Sequence, residues 1–146
     1  MIKQLILKHG ISRAKETYGY DRVTLTDTIT GKKYSTVGGG YDMAGTVFSE
    51  WLQDNCQTDL LKITRMAYYV YDGIRLTRAT DWQPLHEHVN LDLHGSLYGM
   101  TYHVVSDTVT LDGACGLDCM LTIAEAIGLG IQRQVDNKGR LIGFFV

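Results

Sequence analysis

Apolar and polar residues alternate along Val23-Thr24-Leu25-Thr26-Asp27, the period of a half-buried β-strand. Thr30-Gly31-Lys32 supplies a turn, and Tyr34 to Val37 returns as a second strand. A glycine-rich segment, Gly38 to Gly45, then leads into a helix that runs to about Gln53. Val47 and Trp51 face inward on it, joined by Phe48 and Leu52. Beyond the helix, Met66 to Tyr71 reads as a strand, Asp72-Gly73 as a tight turn and Ile74 to Thr77 as the return.

The second half repeats the order. Tyr98 to Val105 alternates, Ser106-Asp107 turns, and Thr108 to Leu111 returns. Gly113 to Cys119 leads into a helix from about Asp118 to Ile127, which Gly128 and Gly130 can terminate. Ile131 to Val135 and Leu141 to Val146, joined through Asp136-Asn137-Lys138-Gly139, form a closing hairpin. Aligning Asp42 with Asp118 also aligns Gly40 with Gly116, so the chain reads as two ββαββ halves, 18–78 and 96–146. That is either a duplication or two uses of one strand-to-helix turn. Ile2, Leu5, Ile6 and His9 have helical spacing, with Gly10 as the stop. Between the halves, Leu85 to His94 alternates: Leu85, Val89, Leu91 and Leu93 on one side, with Glu87 the exception, and His86, His88, Asn90, Asp92 and His94 on the other. The expected fold is α+β, a largely antiparallel sheet with two or three helices on one face, in a single domain spanning residues 1–146.

Composition adds little to that picture. The 146 residues are 45% hydrophobic and 21% charged, with 16 glycines and one proline. Such a mixture suits an ordinary globular domain rich in tight turns. Three cysteines cannot all pair, which favours a reducing compartment. The first eight residues are too short and too interrupted by charge for a signal peptide, and no apolar run approaches a membrane span. A cytoplasmic protein without a membrane partner is expected.

Charge changes the picture more. The formal net charge of −2 hides a segregation along the chain. Residues 1–37 hold seven Lys/Arg against three acids. Residues 79–132 hold no Lys or Arg, seven carboxylates and four of the five histidines. Such asymmetry bears on partners and association rates rather than on fold. The acidic stretch, with Glu87, Asp92, Asp107 and Asp112, could dock on a basic protein surface. The basic third, with Tyr18, Tyr20 and Tyr34 among its cations, could hold a nucleic-acid backbone, although it lacks the signature of the common RNA-binding modules.

Three further features carry chemistry. The turns at Gly38, Gly39, Gly40 and Asp42, and at Gly113, Gly116 and Asp118, run from strand into helix. Backbone N–H groups there can cradle a small anion, including a nucleotide phosphate. Equally, Asp42 and Asp118 can cap their own helices, and that is the favoured reading. His86 and His88 on one strand face, with Asp92 and His94, could ligate a divalent metal and support a hydrolase or nuclease, although a polar solvent face shows the same pattern. Cys115 and Cys119 flank a helix start, where a thiol pKa falls, but a small buried hydrophobe is the commoner role. No cofactor is expected, apart from the divalent metal of the histidine reading.

Two short motifs carry a resemblance. Gly10-Ile11-Ser12-Arg13 resembles the Ser-Gly-Met-Ser-Arg segment of uncharacterised small proteins of tailed phages and prophages. Gly39-Gly40-Tyr41-Asp42-Met43-Ala44, and again Gly113 to Cys119, resembles their Gly-Cys-Gly-Met-Asp-Met-Gly segment. The chain departs at Ile11 for methionine, at Gly39 for cysteine, and in delaying the next glycine to Gly45. That family has no assigned activity, so the resemblance implies a phage setting and a small α+β fold. By association it suggests an accessory protein that binds a host protein, a defence or nucleic-acid-binding factor among them. A homodimer is expected through the tyrosines and the closing apolar strand.

Overall fold

A computed structural model describes residues 3–11, 21–38, 43–71, 93–97, 100–112 and 116–146. The chain is α+β and divides into two compact units. One comprises residues 1–51 and 114–146, the other residues 52–113, so the second is inserted into the first. The units cut across the two halves read from the sequence.

The first unit holds a five-stranded antiparallel sheet of β1 (Gln4–Gly10), β2 (Arg22–Asp27), β3 (Lys33–Val37), β7 (Gln132–Val135) and β8 (Leu141–Phe145). Its order is β3-β2-β1-β8-β7. The N-terminal helix expected from Ile2, Leu5, Ile6 and His9 is instead β1. Leu5 and Leu7 are both buried while Lys8 is exposed, so the effective period is two. In register, Leu5 stands opposite Asp27 and Phe144, and Leu7 opposite Leu25. Burying that row between β2 and β8 outweighs a local helical spacing of four residues.

One face of this sheet is covered. Helix α1 (Met43–Asn55) buries Val47, Phe48 and Trp51. Phe48 stacks on Phe144 of β8, with ring centroids 5.1 Å apart, and lies 6.0 Å from Trp51. Helix α3 (Leu117–Ala126) buries Met120, Ile123 and Ala124. Gly128, at φ +89°, follows it in the left-handed conformation that ends helices.

Asp27 ties the covered face together. Its side chain is 1% exposed. Oδ2 accepts from Trp51 Nε1 at 3.0 Å and pairs with Lys3 Nζ at 3.2 Å. Oδ1 accepts the backbone N–H groups of Ile29 and Thr30. Burial alone would raise this carboxyl's pKa. The bonds from Trp51, Thr30, Ile29 and Lys3 outweigh burial and hold it at about 2. Lys3 Nζ also lies 5.5 Å from the centroid of the Trp51 ring.

The second unit holds a three-stranded antiparallel sheet, β4 (Leu93–Leu97), β5 (Met100–Val105) and β6 (Thr108–Asp112), with α2 (Gln57–Tyr71). The strand expected over Met66–Tyr71 is the last part of α2. Its tyrosines and valine favour strands locally, but a helix begun at Gln57 extends by one hydrogen bond per residue. Within it Leu60 and Thr64 are fully buried one turn apart, and Thr64 Oγ1 donates to the Leu60 carbonyl at 2.7 Å. The first half therefore continues ββα into a second helix, where the second half continues into a hairpin. The proposed ββαββ duplication does not extend past its third element. Ser106 and Asp107 form the expected β5–β6 turn, both at positive φ. The expected turn and strand at 72–77, and the alternating segment up to residue 92, lie outside the described residues.

Candidate functional site: the open face of the five-stranded sheet

Strand alternation fixes which side chains leave the covered face. Leu5, Leu7, Val23, Leu25, Asp27, Tyr34 and Phe144 point inward and are buried. Their neighbours point the other way. On β1 these are Gln4, Ile6 and Lys8; on β2 Arg22, Thr24 and Thr26; on β3 Lys33, Ser35 and Val37. The pairing sets Lys8 beside Thr24, Thr24 beside Ser35, Thr26 beside Lys33 and Arg22 beside Val37. Lys8, Arg22, Lys33, Ser35 and Val37 are exposed. No carboxylate occupies an outward position of these three strands.

Local bonds stiffen the face. The Thr24 and Ser35 hydroxyls bond to each other at 3.0 Å. Gln4 Nε2 donates to Gln134 Oε1 at 3.1 Å, spanning β8 from the first strand to β7. β8 crosses at Gly143, where a Cβ would come within 2.2 Å of the Leu5 carbonyl oxygen. The absence of a side chain there lets β8 lie close against β1. Ile6 and Phe145 add the half-buried apolar surface of this face.

The residues expected to carry function are dispersed. Gly39, Gly40, Asp42, His86, Glu87, His88, Asp92 and Gly113 lie outside the described residues. Gly38 closes the end of β3 at φ +146°, its N–H donating to the Asp21 carbonyl. Gly116 is the N-cap of α3 and offers no side-chain cap. Asp118 does not cap that helix, contrary to the favoured reading. It sits two residues past the cap position, 92% exposed, and its Oδ1 accepts from Arg133 Nη2 at 2.6 Å. Of His94 and Asp112 only the backbone is described, His94 opposite His103 and Asp112 opposite Thr101. Asp107 pairs with Arg65, whose side chain is 8% exposed. Among the described residues, no group of three or more His, Cys, Asp or Glu is placed to hold a metal ion.

The segregation of charge along the chain is thus partly undone in space. Asp107 and Asp118 come from the acidic stretch, yet each is matched by an arginine from outside it. By contrast, none of Lys8, Arg22 and Lys33 has an ion-pair partner among the described residues. Along the sequence these cations are only members of a basic third. The helix expected over β1 hid their common face, because it would have detached Lys8 from the strand carrying Arg22.

A cleft of about 330 Å³ lies between α3 and β7, lined by Leu121, Glu125, Leu129, Gly130, Ile131 and Arg133. None of the expected site residues lines it. Among the described residues, no helix is long and apolar enough to cross a membrane. Comparison with protein-family models, with curated proteins and with solved structures finds no match.

Proposed function

We propose that this chain is a non-enzymatic binding protein of phage-accessory type, which docks on a host protein or other host macromolecule through a charged surface. One observation supports the docking reading above the others. The five-stranded sheet packs one face against α1 and presents Lys8, Arg22 and Lys33 on the other, exposed and unpaired among the described residues. Complementary charge on a partner speeds encounter and fixes orientation. The sign differs from that expected of the acidic stretch, of whose docking carboxylates Asp107 pairs with Arg65 while Glu87, Asp92 and the Asp112 side chain lie outside the described residues.

Capture from bacterial lysate tests the proposal. The wild-type chain and the K8E/R22E/K33E variant are immobilised and washed at roughly 0.05 M and 0.5 M salt, where screening differs severalfold in range. Capture by the wild type that falls with salt, and falls again on charge reversal, is expected. Capture equal for both chains, or indifferent to salt, refutes docking by this face.

A further inference from the structure

We infer that the open sheet face binds the phosphate backbone of nucleic acid without reading its sequence. This rests on the docking proposal above and names the chemistry of the partner. Three observations carry it. First, Lys8, Arg22 and Lys33 occupy three adjacent strands, and sheet geometry spaces their Cα atoms by roughly 8 to 14 Å. Long side chains at that spacing can each meet a separate phosphate along one strand of nucleic acid. Second, the groups between them are hydroxyls and amides: Thr24, Thr26 and Ser35, with Gln4 and Gln134 toward the far edge. These are the side chains that, with Arg and Lys, make most phosphate and sugar contacts. Third, the face is poor in the aromatic anchors that mark the centre of a protein–protein interface. Ile6 and Phe145 are its larger apolar residues, and both are half-buried at the β1–β8 junction. Polar, basic and open is the character of a nucleic-acid contact surface. The lack of stacking rings across β2 and β3 removes the usual platform for base recognition, so affinity follows charge rather than sequence.

The test uses the whole chain and fluorescein-labelled 20-mers, single-stranded and duplex, of two unrelated sequences, read by fluorescence anisotropy. With three phosphate contacts, log K falls against log salt with a slope of about −2 for single strands and nearer −2.7 for duplex. That is roughly a twentyfold loss for single strands between 50 and 200 mM salt. In K8Q/R22Q/K33Q the slope is expected to shrink toward zero by about the same amount, and each single variant by about a third of it. The K62Q/K138Q variant, altered at two exposed cations that lie on none of β1, β2 and β3, is expected to bind as the wild type does. All the substituted side chains are solvent-facing, and circular dichroism with a urea midpoint confirms that each variant is folded. The inference is overturned if no 20-mer binds at low salt, if K8Q/R22Q/K33Q keeps the wild-type slope, or if polyglutamate of similar length binds as tightly. Salt-sensitive lysate capture that survives nuclease treatment, without oligonucleotide binding, would overturn the phosphate assignment and leave charged docking to an acidic protein standing.

Discussion

Replacing Asp27 by asparagine removes one charge and little volume from the centre of the first unit. In the wild type the carboxylate accepts from Trp51, Ile29 and Thr30 and pairs with Lys3. Asparagine can still accept from the two backbone groups through its carbonyl oxygen. Its NH₂ then faces the Trp51 N–H and the Lys3 ammonium, so two donors meet a third. The folded carboxyl titrates at about 2 against 3.8 for the free group. Because the folded value is the lower one, ionisation stabilises the fold above about pH 4, and the contribution is lost as pH falls toward 2. The size is about 2 kcal/mol at neutral pH, of which roughly half is gone by pH 3 and most by pH 2. The assay is urea unfolding of wild type and D27N at pH 6, 3 and 2, followed by circular dichroism and tryptophan fluorescence. The quantity of interest is the difference between the two chains, since other carboxyls titrate in both. That difference should be at least about 2 kcal/mol at pH 6 and shrink by about that amount by pH 2. A gap that stays constant across the range, or a D27N chain as stable as wild type at pH 6, would refute the role given to Asp27.

Other substitutions probe separate parts of the structure. Gly143→Ala drives a methyl into the Leu5 carbonyl and should cost roughly 1–3 kcal/mol by urea midpoint, whereas Gly130→Ala, with nothing within 4 Å of its added carbon, should leave the midpoint nearly unchanged. Phe48→Ala removes the ring stacked on Phe144 and should cost about 3–5 kcal/mol, enough to leave the first unit largely unfolded at 37 °C. Asp118→Ala should change stability by less than about 0.5 kcal/mol, since its ion pair is exposed; a loss of about 1 kcal/mol would instead restore the capping role. Ser106→Asn relieves a left-handed residue in the β5–β6 turn and should raise the urea midpoint slightly, by about 0.5 kcal/mol.

The hairpins were legible wherever alternation and a turn residue coincided. Val23 to Val37 and residues 131–146 fold as read, because Gly31 and Gly139 adopt positive φ at their turns and Asp27 and Asp136 accept turn N–H groups. The helices over Met43–Asn55 and Leu117–Ala126 also follow their spacing. Two elements were misread for opposite reasons. β1 carries a helical spacing but sits between two strands that need its Leu5/Leu7 row. The end of α2 carries strand-forming residues but continues a helix that buries Leu60 and Thr64. In both cases distant partners decide, and a window of ten residues does not contain them. The candidate site was harder. Its cations lie on three strands, 25 residues apart from first to last, and only the register brings them together. The role given to Asp107 rested on charge counted along the chain, and that given to Asp118 on its place at a helix start. Their arginine partners lie 42 and 15 positions away and could not be anticipated from spacing.

The central strand of the first unit pairs with residues more than 130 positions further along. Lys3 and Val146 exchange both backbone hydrogen bonds, at 3.0 and 2.8 Å. During translation β1 can meet β2 within seconds of leaving the ribosome, but its other edge stays bare until residues 141–146 emerge. The sheet therefore matures only after synthesis of this region is finished, and the nascent chain carries an unsatisfied strand edge throughout.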